Sequence, residues 1–566
     1  MAHIHYQDAA DSRSLSSIPT ELLDKICALF CPHCSMPQNR HSTAYLVREE
    51  RRRMRKDLLS LCLVSRRTRA VAQPVLFHVL YHSDIRDPPS NFGWPRYIVQ
   101  FLRSIIQNPR LGGCVREVEF STFSFLEVYK TILAHDFSGA YENASDTFRD
   151  CVIASLTEQI VRLFDDARER LGLPAFDWAV VGPKINRRRG EKLLDLLTVL
   201  LVAHTPNATY LSLALDDDCS PWLRRALESV GTWSMLTTLK CRARDSSVDS
   251  GNSPAMIASL RSVMPLLQGS PKLDALHLKG FGNRDVGFED ATFAGVRKLS
   301  ITSGSMSYQT LQTNLRAFPN IRDFKYKSGG VPDADPEGWR YVAIEVSPAE
   351  VVSLLEPVRT SLTALSLDLR KATFFSKPDA AVRSLKEFEA LEWLEIDYES
   401  SLSGHRQSPT ELHDILGPDY EAPGLEESWD DIKAFAEPGE HLLQLLPANI
   451  ERVSLRGCGF AEEMDLREDV FQDIERLVAA AGQGGRFPRL VEVEFRRWDG
   501  HVLLLHQHLR TLHNIFKDSG VALKCDYSVT HYWGEDDQFE DDDGDETWED
   551  CEESEFESSH GSRDGF

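Results

Sequence analysis

Cysteine and histidine residues near the start of the chain come close to the spacing of a metal site. Cys31 and Cys34 form a Cys-Pro-His-Cys motif, with Cys27 before it and His41 after it. A structural zinc ion needs four ligands, and zinc sites that are recognisable from sequence usually contain two spaced pairs. Because a second pair is missing, the sequence predicts ordinary thiols at a helix end, with no metal and no other cofactor. A zinc site is the alternative.

No other group of residues has the spacing of a known catalytic site. His78 and His82 are four residues apart, and His501, His506, His508 and His513 form a second group, but carboxylate ligands accompany neither group. The glycines of 482–485 lack the lysine of a phosphate loop and precede a strand, which predicts a turn. Nucleophile elbows, HExxH and kinase signatures are missing from the sequence. We therefore predict that the histidines are structural and that the chain has no catalytic residues. An enzyme whose active site has an unfamiliar arrangement of residues is the alternative.

Composition disfavours several classes of function. The 566 residues are 42% hydrophobic and carry a net charge of −24, which argues against a general binder of nucleic acid or anionic membrane. The longest apolar stretch, 193–203, is shorter than the roughly 20 residues of a membrane helix, and the N-terminus lacks an apolar signal segment. Eleven cysteines without an export signal predict reduced thiols and a cytoplasmic or nuclear location.

Two helical patterns occupy the N-terminal part of the chain. The first has Pro19 at a first helical position, followed by an apolar stripe of Leu22, Leu23, Ile26, Leu29 and Phe30. The second spans 57–73, where we expect Asp57 to cap the helix and Pro74 to end it. Between them lies a basic, non-periodic insertion, 31–56. Its run 51–56 is either a solvated helix face or a nuclear localisation signal.

The two patterns together resemble an F-box of the fungal type. That family's signature, Leu-Pro-x-Glu-Leu-Leu…Ile and then Asp-Leu-x-x-Leu…Val-Ser-Arg-x-x-Arg, is similar to residues 18–26 and 57–69 here. The resemblance implies a three-helix module within 15–82 that docks on the Skp adaptor of a cullin-RING ubiquitin ligase. The resemblance further implies that seven residues form the core of the module and its docking face. They are Pro19, Leu22, Leu23, Ile26, Leu59, Leu63 and Val64. A generic helical cap on a repeat array is the alternative.

A short unit, apolar-x-x-apolar-x-apolar, recurs ten times between residues 110 and 530. Alternation in its second half predicts a strand, and helical stretches separate the copies. Pro206, Pro271, Pro319 and Pro488 each stand two residues before a unit, which indicates a repeating order of helix, turn and strand. The middle positions of the units are 118, 211, 239, 276, 299, 324, 365, 394, 453 and 493.

This order resembles a leucine-rich repeat. The implied fold class is α/β: a small helical head, then an irregular leucine-rich-repeat solenoid of parallel strands alternating with helices over 83–533. We expect an insertion loop at 399–440. Intervals of up to 93 residues between middle positions require further insertions or missed repeats. A compact α/β domain is the alternative.

The repeat resemblance also implies which side chains face the concave side of the array. They are the residue between the last two apolar positions of a unit and the residue two places later. Later units carry acidic or small residues there, namely Ser366, Asp368, Glu395 and Asp397. Middle units carry a basic strip, which we predict to bind substrate through Lys240, Arg242, Lys279, Lys325 and Lys327. Such a strip suits an acidic peptide, a phosphopeptide or the chain's own tail, and scattered surface charge is the alternative.

Both ends of the sequence are predicted to be disordered, over 1–14 and 534–566. The last 32 residues hold 16 acidic residues and one basic residue, Arg563, so this segment cannot bury enough apolar surface to become ordered. We expect the acidic tail to aid solubility or to dock a partner through its aromatic residues.

These features predict a non-catalytic substrate receptor of a Skp–cullin–F-box ubiquitin ligase. Its partners would be a Skp-type adaptor, a cullin and an unidentified protein substrate, and the transfer chemistry would belong to partner subunits. A ligase-independent interaction scaffold that uses the same repeats is the alternative.

Overall fold

The computed structural model describes most of the chain between residues 17 and 525. The described ranges are 17–35, 45–81, 93–120, 158–173, 187–215, 225–226, 232–243, 260–281, 288, 291–304, 306–328, 346–369, 381–398, 439–456, 468–482, 484–496, 506–517 and 519–525. The predicted disordered ends, 1–14 and 534–566, and residues 399–438 of the predicted loop lie outside them. All described residues belong to one compact unit, Met1–Tyr527.

Four helices form the N-terminal head. They are α1 (Thr20–Leu29), α2 (Pro32–Ser35), α3 (Tyr45–Val64) and α4 (Arg66–Leu76). The buried residues that they share with the first strand are Leu23, Cys27, Cys31, Leu58, Cys62, Ala72, Val75, Val79 and Tyr81. The head therefore has a small apolar core of its own.

Helix α3 begins at Tyr45, so the prediction that Asp57 caps it is wrong. The predicted insertion is helical over 45–56 because it lacks Pro and Gly there and is rich in Arg, Lys and Glu, which favour helices. Glu49 and Arg52, one turn apart, pair at 2.7 Å. The basic run 51–56 is thus part of a continuous helix.

The second predicted helix is interrupted at Ser65. This residue has an extended backbone, and its hydroxyl accepts a hydrogen bond from the Thr68 amide at 3.0 Å, which caps the start of α4. Pro74 does not end the helix as predicted but lies in its last turn. Its ring removes one helical amide donor there, and the next residue, Val75, is anchored in the head's core.

Twelve parallel strands form one sheet in which spatial order equals chain order. They are β1 (Val79–Tyr81), β2 (Glu117–Phe120), β3 (Tyr210–Leu215), β4 (Thr238–Ala243), β5 (Ala275–Lys279), β6 (Lys298–Gly304), β7 (Asp323–Ser328), β8 (Ala364–Asp368), β9 (Trp393–Asp397), β10 (Arg452–Arg456), β11 (Glu492–Arg496) and β12 (Ala522–Cys525). Strands β2 to β11 coincide with the ten predicted units. The prediction of an α/β fold with parallel strands alternating with helices is confirmed.

The middle apolar residue of every unit occupies the same register position in the sheet. Leu276 pairs with Leu299, which in turn pairs with Phe324. Val118 of β2 pairs directly with Leu211 of β3, although 93 residues separate them. The long intervals between units are therefore insertions between strands that are neighbours in the sheet, and the described strands pair in an unbroken order.

The ten units do not include the strands at the two ends of the sheet. Leu80 of β1 and Leu523 of β12 continue the central row, pairing with Val118 and Val493. Neither end strand matches the full apolar pattern. In the segment of β1 the last apolar position is occupied by His82, and in the segment of β12 the first apolar position is occupied by Gly520.

Helices precede most strands and cover one face of the sheet. Among them are α5 (Gly93–Gln107), α6 (Pro109–Cys114), α7 (Arg187–His204), α8 (Met264–Gln268), α9 (Tyr308–Arg316), α10 (Pro348–Leu354), α11 (His441–Leu445), α12 (Glu468–Ala479) and α13 (His506–Phe516). Residues 158–168 are helical as well. Together with the strands they bury one continuous apolar core that extends from Phe77 to Val521. Across the described ranges, none of the helices has the length and apolar character needed to cross a membrane.

Candidate functional site

Helix α1 buries one apolar stripe and exposes the next. Leu23 and Cys27, four residues apart, are fully buried in the head's core. Leu22 and Leu29 lie about a third of a turn away around the helix and have exposed fractions of 50% and 68%. Ile26 lies between the two stripes and is half-buried.

Helix α3 repeats this arrangement near its C-terminal end. Leu58 and Cys62 are buried, whereas Leu59 and Leu63 are 46% and 77% exposed. Val64, the last residue of the helix, is 55% exposed. A soluble head that had no partner on this side would be expected to carry polar residues at such positions.

Five of the seven large hydrophobic residues that are exposed in the described ranges belong to the head. We call Leu22, Leu29, Leu59, Leu63 and Val64 the exposed head residues. The other two, Met235 and Val491, are isolated on the array, as single surface apolar residues usually are. A concentration of apolar surface on one small element is typical of a protein-binding site.

Of the predicted docking residues, Pro19, Leu22, Leu59, Leu63 and Val64 are exposed. Leu23 is fully buried, so it supports the head from inside and has no surface to offer a partner. This division between core and surface could not be read from the spacing alone.

Arginines of α4 hold the helices that carry the exposed head residues. Arg67 donates hydrogen bonds to the Ile18 carbonyl at 2.5 Å and to the Thr20 hydroxyl at 3.4 Å. Arg69 donates from Nε to the Cys62 carbonyl at 3.0 Å. These bonds fix the start of α1, which carries Leu22, and the end of α3, which carries Val64, to the same helix.

The head is joined to the sheet through buried polar groups. The Arg51 guanidinium lies 4.7 Å from the centre of the Tyr81 ring, and the Tyr81 hydroxyl donates a hydrogen bond to the Glu117 carboxylate. Burial and the nearby Glu117 charge raise the pKa of Tyr81, so the hydroxyl keeps its proton. Arg51, which the sequence places in a basic run, is therefore a buried link between α3 and strands β1 and β2.

The five predicted substrate-binding cations lie on one face of strands β4 to β7, opposite the core. Lys240 and Arg242 of β4 pair in register with His277 and Lys279 of β5. Lys325 and Lys327 occupy the same two rows on β7, beyond β6. Lys240 and Lys279 are exposed, whereas the other three cations are half-buried.

The pKa of His277, which lies among the cations of this basic strip, is lowered by its surroundings. Its burial, and then the charges of Lys240, Lys298 and Lys325, lower the pKa of His277 from 6.5 to about 4. Lys298 is a strip residue that the sequence reasoning missed. It lies two residues before Ser300 on β6, and the two-residue period of a strand could have revealed it.

The acidic continuation of the strip is not an open surface, which corrects the sequence-based expectation. Asp368, Glu395 and Asp397 are buried. Arg456 pairs with the Glu395 carboxylate and lies 3.4 Å from Asp368, and Lys327 lies 3.2 Å from Asp368. Buried carboxylates need such partners, so Asp368 and Glu395 form internal ion pairs. Lys327 therefore belongs to the basic strip and also forms an ion pair with Asp368.

The Cys-Pro-His-Cys motif folds back on itself and meets His78. The Cys34 amide donates to the Cys31 carbonyl at 3.0 Å, which places the two thiols side by side. The His78 Nδ1 atom lies 3.7 Å from the Cys31 sulfur and 3.6 Å from the Cys34 sulfur. The His33 Nδ1 atom lies 3.5 Å from the Cys34 sulfur. The sequence prediction of no metal relied on missing ligands, and the fold places two further nitrogen atoms, from His78 and His33, beside the two sulfurs.

Hydrogen bonds set the protonation of the two thiols. Those from Cys31, His33 and His78 lower the pKa of Cys34, which favours its thiolate. The bond to Cys34, together with burial, raises the pKa of Cys31. Cys31 and Cys34 therefore share a site in which sulfur and nitrogen atoms converge.

Other candidates from the sequence have structural roles. The glycine-rich segment 482–485 is a turn, as predicted, in which the Gly485 amide donates to the Gly482 carbonyl at 3.0 Å. Asp473, Tyr398 and His441 form a buried network, with the Tyr398 hydroxyl donating to Asp473 at 2.7 Å. Its residues are packed between α11, α12 and the end of β9, so they stabilise the array.

Comparison with protein-family models gives no match, and comparison with curated proteins also gives none.

Proposed function

We propose that this protein is a substrate receptor of a Skp–cullin–F-box ubiquitin ligase, with an F-box-like head and a leucine-rich-repeat-like array. The observation that carries the proposal is the set of exposed head residues. Four of the five, all except Leu29, fall within the two segments that resemble the F-box signature, on the helices α1 and α3. A head this small gains stability and solubility when a partner covers such surface.

The proposed partner of the head is a Skp-type adaptor, which connects it to a cullin. Leu59 and Leu63 are one helical turn apart on α3 and offer apolar anchors of the kind that dominate protein interfaces. Leu22 and Pro19 would extend the same contact along the start of α1. Leu23 supports this surface from the head's core.

The array would hold a protein substrate close to the transfer machinery. Parallel strands in register present the basic strip as two rows of side chains, and such rows suit an extended acidic or phosphorylated segment. The chain would contribute no catalytic residue, since proximity alone raises the effective concentration of substrate.

Affinity purification of the full chain from eukaryotic cells tests the proposal. Wild-type protein should bring down a Skp-type adaptor and a cullin, and the Pro19→Ala/Leu22→Ala variant should lose both. Both side chains are exposed, and the Pro19 carbonyl that accepts the first α1 hydrogen bonds is kept in the variant. Met235→Ala, at an exposed apolar residue of the array, is the matched control and should retain both partners.

The alternative function, a ligase-independent scaffold, makes a different forecast for the same experiment. A scaffold would recover proteins through the array but neither adaptor nor cullin. Recovery of array-bound proteins alone, with no effect of the head variant, would contradict the receptor proposal.

A further inference from the structure

We propose that Cys31, His33, Cys34 and His78 bind a structural zinc ion at the junction of the head and the sheet. Each of the four residues offers one ligand atom, and these atoms all lie within 4.8 Å of one another. Two sulfurs and two imidazole nitrogens are a complete ligand set for structural zinc, with no open position for substrate.

The distances between the ligand atoms agree with a tetrahedral site. Zinc–sulfur bonds of about 2.3 Å and zinc–nitrogen bonds of about 2.0–2.1 Å place sulfur and nitrogen ligands about 3.5–3.6 Å apart. Three of the four sulfur–nitrogen separations are 3.5, 3.6 and 3.7 Å. Hydrogen bonds between a thiol and an imidazole have similar lengths, so the indication of a metal is that four ligand atoms converge on one place. Only small side-chain movements would be needed to close the site around a metal ion.

The type of ligand selects the metal. Soft thiolates combined with imidazoles in tetrahedral arrangement favour zinc, whereas magnesium and calcium require oxygen ligands.

The backbone positions the ligands independently of a metal. The Cys31 carbonyl accepts hydrogen bonds from the Cys34 and Ser35 amides and from the Ser35 hydroxyl, which holds the tight turn after α1. The His78 carbonyl accepts from the Arg116 and Glu117 amides, which fixes His78 to the beginning of β2. A preorganised site of this kind loses little entropy when it binds a metal.

The zinc ion would connect segments that are far apart in the sequence. Cys31 and His78 are 47 residues apart, and they lie after α1 and immediately before β1. Such a cross-link restricts the unfolded chain and holds the head against the sheet. The proposed role is therefore structural, and it does not depend on adaptor binding.

Elemental analysis of untagged full-length protein, purified under reducing conditions without chelator, tests the proposal. We expect about one zinc ion per chain in the wild type. Cys34→Ser and His78→Gln should each lose most of it, and neither residue is fully buried. Cys114→Ser is the control and should keep its zinc, because that thiol donates to the Arg110 carbonyl elsewhere.

Two measurements on the wild type keep the test decisive if the variants fold poorly. A strong chelator should lower the melting temperature, and added zinc should restore it. Cobalt(II) should replace zinc and give the absorption bands of a tetrahedral thiolate site. Trace zinc in the wild type without cobalt bands, or equal zinc in wild type, Cys34→Ser and His78→Gln, would overturn the proposal in favour of a metal-free or disulfide-linked pair.

Discussion

Neighbouring residues at the start of α1 have opposite roles, which a pair of substitutions can separate. Leu23 is fully buried and Leu22 is half-exposed. Leu23→Ala leaves a cavity in the head's core, so we expect it to lower the free energy of unfolding by about 2–5 kcal/mol. Leu22→Ala removes a surface side chain and should change it by less than about 0.5 kcal/mol. Denaturant unfolding of both variants measures the difference, and equal losses would contradict the assignment of the two stripes.

The titration of His277 predicts how the stability of the protein depends on pH. The pKa of its imidazole is about 4 in the folded protein, against 6.5 without the fold. Between these values the unfolded chain holds a proton that the folded chain does not. Stability that depends on neutral His277 is therefore complete above pH 6.5 and is lost as the pH falls towards 4, by up to about 3 kcal/mol.

The comparison of wild type with His277→Gln isolates this effect, because His204, whose pKa is also about 4, is present in both proteins. The glutamine variant should lose less stability than the wild type between pH 7 and pH 4 in urea unfolding. If wild type and His277→Gln lost the same stability over that pH range, His277 would have the same pKa in the folded and the unfolded chain.

At the element scale, the close approach of α6 to the end of α7 depends on one glycine. A β-carbon at Gly112 would overlap the His204 carbonyl oxygen, whereas one at Gly113 would meet only the Asn207 amide nitrogen at 3.6 Å. Gly112→Ala should therefore cost about 1–3 kcal/mol through overpacking. Gly113→Ala should be neutral or stabilising by up to about 1 kcal/mol, since alanine favours helices. Thermal unfolding of the pair checks this, and a harmless Gly112→Ala would disprove the close packing.

The basic strip is a property of several strands, and its exposed members can be tested for binding. Lys240→Glu/Lys279→Glu should weaken the binding of an acidic or phosphorylated test peptide by about tenfold at low salt, because exposed charges contribute up to about 1 kcal/mol each. The difference should shrink at high salt, where charges are screened. Lys272→Glu, exposed in the turn before β5, is the control for net charge. Equal effects of both changes at low salt would exclude a localised binding strip.

The strands were predictable from the sequence because apolar and other residues alternate within each unit. The middle row from Val118 to Val493 is apolar at every position, so the pattern and the observed register agree. Helix boundaries were less predictable, as Asp57 and Pro74 illustrate. A cap residue such as Ser65 acts only when the chain turns there, and tertiary packing of α3 and α4 decides that.

The candidate sites were predictable only in part, for the same physical reason. The F-box resemblance pointed to Leu22, Leu59 and Leu63, but which stripe of each helix faces water depends on how α4 packs against α1 and α3. His78 is 47 residues from Cys31, and its approach to the cysteine motif depends on where the chain enters the sheet. The acidic row was misread because a strand pattern gives the face of a residue and not its burial partners, such as Arg456 for Glu395.

At the scale of the whole molecule, the head and the array form a single mechanical unit. Strand β1 contributes Val79 and Tyr81 to the head's core and Leu80 to the core of the array. Phe77 stacks on Phe101 of α5 with ring centres 5.1 Å apart. A partner bound to the exposed head residues would therefore keep a fixed orientation relative to the basic strip, which is what a receptor that presents substrate requires.

Direct binding of a purified Skp-type adaptor to the purified full chain, measured by calorimetry, tests the central proposal. We predict a saturable complex with one adaptor per chain, which the Leu59→Ala/Leu63→Ala variant weakens by at least about tenfold, because loss of apolar anchors costs more than about 1–2 kcal/mol. Both leucines are exposed, so the variant should unfold like the wild type, and Val491→Ala should bind normally. Absence of binding by the wild type, or equal binding by the folded leucine variant, would contradict the role of the head as an adaptor-docking module.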